Sequence, residues 1–362
     1  MNHVLVFNFF GGVMDRGIPL YSQDIAECMR RVGLEPIELR CPRSLRRLPR
    51  ALLNPLFVLF EQLVAPLVRE LRGCSLTVYP YNSAGIIDAA LGRSVVVIHD
   101  LISNGRSNGA LAARYIRCTQ AVHRAFARPV CAASEHTLAQ LRRLPAFQRC
   151  VLQLWPNPFY AFEEALARRK PRAPRRGHRP LRVLLCSGMG QSKDYGGALK
   201  LFSQSPVLEG AELRIVGFGD DAHLAGRRSS HLPDAIRQRI TVLPRLSLDD
   251  LVAEYTECDL VWVHSRREGF GRFVIEAQMS GRPVLASNIA AFRGLMGPNV
   301  YLYRRDDFDV GAARALSGGP ASILDVASCH ASLEASVREV ASRFLPLTSP
   351  GRENLNGQQG HS

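Results

Sequence analysis

Residues 268–287, EGFGRFVIEAQMSGRPVLAS, place two acids, Glu268 and Glu276, on either side of a Gly-Phe-Gly turn. The stretch before them, LVWVHS (260–265), reads as a buried strand, and GRPVLAS (281–287) reads as another. Strand, loop, helix and strand in that order form a βαβ unit, whose strands lie parallel. Gly269 and Gly271 permit a tight backbone path close to a ligand. A helix starting near Arg272 would point unbonded amide N–H groups and its positive dipole end at that loop, where a phosphate fits. Glu276, about a turn into the helix, can accept two hydroxyl hydrogen bonds, as a vicinal ribose diol offers. Glu268 can do the same for a sugar on the far side of the phosphates.

The rest of the chain repeats the alternation. Residues 3–10 read as a first strand ending at Gly11-Gly12, YSQDIAECMRRVG (21–33) as a helix with a glycine stop, and EPIELRC (35–41) as a strand. SLTVYP and RSVVVIHDLI add buried strands, the second carrying His99-Asp100 at its carboxyl end, where open α/β sheets place ligands. PVCAASEHT (129–137) reads as a strand entering a helix with Ser134 as N-cap. The Arg/Pro-rich run RRKPRAPRRGHRPLR (168–182) reads as a linker, after which a second βα series begins. The expected organisation is a first Rossmann-like domain at 1–160, a basic linker at 161–182, a second Rossmann-like domain at 183–347 and a disordered tail at 348–362.

A length of 362 residues suits two domains of about 150 residues each. With 46% hydrophobic and 22% charged residues, the composition is that of a soluble globular chain. The segment MNHVLVFNFFGG lacks the basic n-region and small-residue cleavage site of a signal peptide. Nine scattered cysteines without a CxxC pair argue against a disulfide framework or zinc site and fit a reducing cytosol. The formal charge of +14 favours anionic partners, although arginine usage also follows genomic base composition. Nucleic-acid binding is disfavoured, because aromatics make up only 7% and sit mostly within strands. RSLRRLPR (43–50) places Arg43, Arg46, Arg47 and Arg50 before ALLNPLFVLFEQLVAPLVREL (51–71). Asn54, Pro55, Glu61, Gln62 and Pro66 argue against a spanning helix there. Two readings stand: a buried helical layer, or an amphipathic segment touching an anionic membrane.

The pair Glu268 and Glu276, within EGFG…EA…G-x-PV-x-AS, resembles the signature of the retaining GT-B glycosyltransferases of family 4. The resemblance is close over residues 181–305. It implies two Rossmann-like domains facing a cleft, a nucleotide-sugar donor, and no cofactor or metal. In that family the first acid contacts the donor sugar and the second the ribose, and the backbone of Gly269, Phe270, Gly271, Arg272 and Phe273 lies near the phosphates. Arg272-Phe273 stands where Leu-Pro is usual. SGMGQSK (187–193) brings Lys193 toward the diphosphate, with Met189 where a second cation is common. His99 resembles the family histidine facing the donor sugar, Gly11, Gly12 and Gly17 its glycine loop, and Arg245 falls where the base is recognised.

The functional expectation is sugar transfer, with retained configuration, to a saccharide or lipid-linked acceptor in bacterial cell-surface polysaccharide or lipopolysaccharide assembly. Its setting would be cytoplasmic, peripheral at the inner face of the membrane. A nucleotide-sugar epimerase of the same fold and a non-catalytic sugar- or nucleic-acid-binding protein are the alternatives. GFGD (217–220) lacks the third glycine of a dinucleotide fingerprint, so a nicotinamide enzyme is rejected.

Overall fold

The computed structural model describes residues 2–11, 17–45, 48–101, 110–169, 180–188, 190–219, 222–318 and 323–344. Gly12, Arg46, Arg47, Met189 and the expected tail lie outside them.

Two six-stranded sheets form the frame, and every neighbouring pair of strands is parallel. The first contains β1 (His3–Phe7), β2 (Glu35–Leu39), β3 (Leu76–Tyr79), β4 (Ser94–Ile98), β5 (Val130–Ala132) and β6 (Leu152–Leu154). Its spatial order is β2-β1-β3-β4-β5-β6. The second contains β7 (Arg182–Cys186), β8 (Glu212–Val216), β9 (Ile240–Val242), β10 (Leu260–Val263), β11 (Val284–Ser287) and β12 (Val300–Tyr303). There the order is β12-β11-β10-β7-β8-β9. Strand order reverses direction between β1 and β3 in the first sheet and between β7 and β10 in the second. Ligands of doubly wound sheets bind at such switch points, beyond the carboxyl ends of the strands.

The strands are apolar runs because helices cover both faces of each sheet. In the first sheet α1 (Ile18–Arg31) lays Tyr21, Ile25, Cys28 and Met29 against Val4, Val6, Val78 and Val97. In the second, Val261 and Val263 pack with Val274 and Ala277 on one face, while Leu260 and Trp262 pack with Phe308 and Ala312 on the other. Ser134 caps α6 (Glu135–Arg142), accepting a bond from the Thr137 amide at 3.1 Å. All nine cysteines are free.

Three features depart from the sequence expectation. Residues 161–167, assigned to the linker, belong with Tyr160 to α7 (Tyr160–Ala167), whose Phe162 and Ala165 bury against Tyr255 and Val252 of the second domain. The last helix, α15 (Ala327–Ser342), was expected in the second domain. It packs Leu333, Val337, Val340 and Ala341 onto Val4, Tyr21 and Ile25 of the first instead. Periodicity marks a buried helix face but not the sheet that buries it. The third is the stretch after the basic run. It continues as α2 (Arg50–Leu59), a π turn (Phe60–Val64) and α3 (Ala65–Leu71) without a break. Pro66 is tolerated because it sits in the first turn of α3, directly after the wider π turn. Residues Leu52–Leu71 are thereby long and apolar enough to cross a bilayer by length and composition.

Candidate active site

Loops following β7 and β10 meet loops following β1 and β4 in a cleft between the sheets. One cavity in it, about 250 Å³, is lined by residues that include Gly17, His99, Lys193, Glu268, Arg272 and Glu276. Gly269, Phe270, Gly271 and Phe273 line it as well. These groups come from four separate parts of the chain and share one space. A second cavity, about 460 Å³, shares Asp100, Glu268 and Gly269 with the first and adds His136, Gln140, Arg266 and Arg267.

The glycine loop has steric reasons. Gly271, with φ 106°, caps α12 (Arg272–Met279), and a Cβ there would lie 2.5 Å from the Phe292 ring. Gly269 touches the first domain, where a Cβ would fall 2.7 Å from both the His99 carbonyl oxygen and Asp100 Cβ. Its own carbonyl accepts from Ser134 Oγ at 3.1 Å. The two domains thus close on each other through this loop.

Glu268 accepts from Lys193 Nζ at 2.5 Å and from Ser265 Oγ at 2.6 Å. Lys193 ends a turn of 3-10 helix (Gln191–Lys193), and its ammonium lies 5.5 Å over the Phe273 ring. The next residue, Asp194, adopts a left-handed conformation and binds Arg266 at 2.9 Å, Arg305 at 2.5 Å and His264 at 3.3 Å. Burial pushes the Asp194 carboxyl up, but these donors outweigh it and hold the group below its usual range. The cluster fixes the backbone that carries Lys193. Nothing in the local sequence announces it, because its members come from three separate segments.

Glu276 is buried, 3% exposed, and accepts from Tyr255 Oη at 2.9 Å and Arg272 Nε at 3.3 Å. Arg272 also donates to the Pro158 carbonyl at 2.9 Å and to Asp24 Oδ2 at 3.3 Å, and stacks 4.5 Å over the Phe159 ring. The arginine that departs from the family pattern therefore clasps α1 of the first domain to α12 of the second. Asp24 is 1% exposed and accepts a further bond from the Ala161 amide at 3.1 Å. Burial raises its pKa to about 6 despite the guanidinium beside it. An acid on the buried face of α1, three residues after Tyr21, was the available signal for this contact.

His99 is half-buried at the cavity wall, and its buried Nε2 has no hydrogen-bond partner among the described residues. Desolvation lowers its pKa to about 4, so the ring is neutral at physiological pH. Tyr21 packs edge-on at 4.6 Å, and the His99 amide donates to Asn82 Oδ1 at 2.6 Å. A neutral imidazole with one open nitrogen suits a sugar hydroxyl.

Two expected contacts fall elsewhere. Arg245 is exposed, and its neighbours Leu246, Ser247 and Leu248 line the cavity in its place. Gly11 packs against the Asn8 side chain outside the cavity lining, whereas Gly17 lines it at the start of α1. Among the described residues no three His, Cys, Asp or Glu side chains are grouped to hold a metal ion.

The model of the glycosyl transferases group 1 family matches residues 182–317. A D-inositol 3-phosphate glycosyltransferase of Mycobacterium sp. (strain KMS) is 38% identical over 101 residues, which cover 26% of this chain and 23% of that relative. The chain thus spans about a quarter of the length of such curated relatives. Sucrose-phosphate synthase from Thermosynechococcus elongatus superposes with a TM-score of 0.62 at 17% identity, covering 95% of each chain. Anabaena Alr3699/HepE, solved with UDP and glucose, gives 0.58 at 16% identity over 94% of this chain and 95% of its own. This chain folds as a two-domain GT-B protein, and residues 182–317 carry the sequence pattern of the group 1 glycosyl transferases.

Proposed function

We propose that the protein is a retaining glycosyltransferase of family 4 that moves a sugar from a nucleotide diphosphate to an acceptor hydroxyl. The observation that carries this reading is the convergence of Glu268, Glu276, Lys193 and the amino end of α12 on one cavity opposite His99. In it, Glu276 holds the ribose diol, with Arg272 yielding one of its bonds to the nucleotide. The diphosphate lies over the α12 amides beside Lys193, and His99 Nε2 meets a hydroxyl of the donor sugar. The UDP and glucose in the Anabaena neighbour support a nucleotide-sugar donor.

Among the described residues, the two glutamates of the cavity are engaged, Glu268 by Lys193 and Ser265 and Glu276 by Tyr255 and Arg272, so neither is poised to attack the anomeric carbon. The reaction therefore runs on one face. The bond from the anomeric carbon to the phosphate oxygen breaks, the acceptor oxygen bonds to that carbon, and the departing phosphate oxygen takes the acceptor proton. Lys193 and the α12 amides stabilise the charge that grows on the diphosphate, a role that needs no metal. The acceptor, a saccharide or lipid-linked saccharide, enters by the second cavity. The setting is assembly of bacterial cell-surface polysaccharide or lipopolysaccharide at the inner face of the cytoplasmic membrane.

Purified protein incubated with a panel of UDP- and GDP-sugars tests the reading. One donor should raise the melting temperature and be slowly hydrolysed, and NMR should show the released sugar first in the donor's anomeric configuration. Initial release of the opposite anomer would refute retention. A panel in which no donor is bound or cleaved would refute the transferase reading.

A further inference from the structure

The outer surface of the first domain carries an apolar face that the cleft does not use. Along the continuous rod of α2, the π turn and α3, Leu52, Leu59, Leu63, Leu67 and Leu71 are each between 45 and 76% exposed. Their spacing of seven and then four residues keeps them on one side of a rod about 30 Å long. Beside it runs α4 (Ile86–Ala90), joined to the rod by a bond from the Ile86 amide to Gln62 Oε1 at 2.8 Å. Ile86, Ile87 and the following Leu91 are 41–60% exposed. On α5 (Ala110–Ala125), tied to the rod by Gln62 Nε2 donating to Tyr115 Oη at 2.6 Å, Leu111 is 84% exposed. An apolar surface built from three adjacent helices marks an interaction site more often than chance exposure.

Charge says what it meets. Residues 43–128 contain twelve arginines and four acids, and two of those acids, Glu61 and Asp88, are buried. Arg43, Arg72, Arg114 and Arg117 are exposed on or next to the same helices. Leucines flanked by arginines match a bilayer interface with anionic headgroups.

The inner side of the rod decides between lying on a membrane and crossing it. Arg69 Nε donates to Asp88 Oδ1 at 2.9 Å, and both side chains are buried. Glu61 accepts from Ser83 Oγ at 2.6 Å and from Tyr115 Oη through its other oxygen. Gln62 Nε2 reaches the Ala84 carbonyl at 3.1 Å. Withdrawing the rod into hydrocarbon would carry Glu61 and Arg69 into lipid and leave Asp88 buried without its cation.

We propose that this face docks flat on an anionic bilayer, with its leucines at the acyl boundary and the flanking arginines among the headgroups. The inference stands on the surface alone and not on the transferase reading, since vesicle binding is measured without donor or acceptor.

The test is flotation of the full chain with phosphatidylglycerol-containing vesicles and with pure phosphatidylcholine vesicles across a salt series. Wild type should float with the anionic vesicles and lose binding as salt rises. Leu59→Ser/Leu63→Ser/Leu67→Ser should bind at least about tenfold more weakly with an unchanged circular dichroism spectrum and urea-unfolding midpoint. A Leu63→Trp variant gives an independent reading, because Trp155 and Trp262 are buried. Its emission should shift to the blue on anionic vesicles. Failure of wild type to float, equal binding by the triple variant, or an unshifted emission from the Leu63→Trp variant would overturn the proposal. So would a dimer that the triple variant dissolves while wild type ignores vesicles.

Discussion

Arg272→Met tests whether the departure from the family pattern is an interdomain clasp. Methionine keeps most of the apolar volume over Phe159 and removes every bond that the guanidinium makes. Asp24 is then left buried with the Ala161 amide as its remaining donor in the structure. Stranding a buried carboxylate in this way costs about 3–5 kcal/mol. Asp24 has an escape through protonation, because burial already raises its pKa to about 6 against a usual 3.8. The sign follows from linkage. A folded-state pKa above the unfolded value means that the folded chain holds the extra proton, so the stability this group confers falls as pH rises toward and through 6. Without the guanidinium the folded pKa rises further, and the fall continues to higher pH. Arg272→Met should therefore cost about 1 kcal/mol at pH 5 and roughly 2–4 kcal/mol at pH 8. Urea unfolding of wild type, Arg272→Met, Asp24→Asn and the double variant at both pH values gives the coupling energy. It should reach about 1–3 kcal/mol at pH 8 and fall below half of that at pH 5. A coupling near zero, or one that does not change with pH, would refute the clasp.

Three further outcomes follow from the same geometry. Lys193→Ala should lower kcat by about a hundredfold or more with a smaller effect on donor binding, because charge on the diphosphate grows in the transition state; unchanged turnover would move that role to Arg266 or Arg267. Glu61 is driven by burial to a pKa of about 7, so it too confers less stability as pH rises from 4.5 through 7, and Glu61→Gln should gain on wild type by up to about 3 kcal/mol between pH 5 and pH 8; parallel stability profiles would show that Glu61 does not titrate there. Replacing Arg43, Arg46, Arg47 and Arg50 with Gln should weaken flotation with anionic vesicles by about 1 kcal/mol per arginine at low salt, while donor hydrolysis is retained; equal flotation would make the run an ordinary solvated surface.

Features carried by neighbouring residues were readable from the sequence, and features carried by distant ones were not. The loop from Glu268 to Glu276 was legible because its glycines, its acids and the helix they open lie within nine residues. The α/β alternation was legible for the same reason, since each strand and helix declares its own period. Arg272 was visible as a departure, yet its partner Asp24 stands 248 residues away and only the packed fold joins them. The crossings of α7 and α15 between domains were hidden because an apolar helix face does not name its partner sheet. Pro55 and Pro66 read as breaks in the helix, whereas the chain places a π turn before the second and continues. Arg245 was chosen by position along the chain, and the fold turns its neighbours Leu246–Leu248 to the cavity instead.

The central claim is that Glu276 and the loop before it hold a nucleotide. Calorimetric titration of wild type and Glu276→Ala with UDP and GDP tests it most directly. Glu276 would accept two ribose hydroxyls, each bond to the carboxylate worth about 1.5–3 kcal/mol. Wild type should bind one of the two nucleotides, and Glu276→Ala should bind it at least about tenfold more weakly, with the fold intact by circular dichroism. Equal affinity in the two proteins, or no binding of either nucleotide by wild type, would contradict the account.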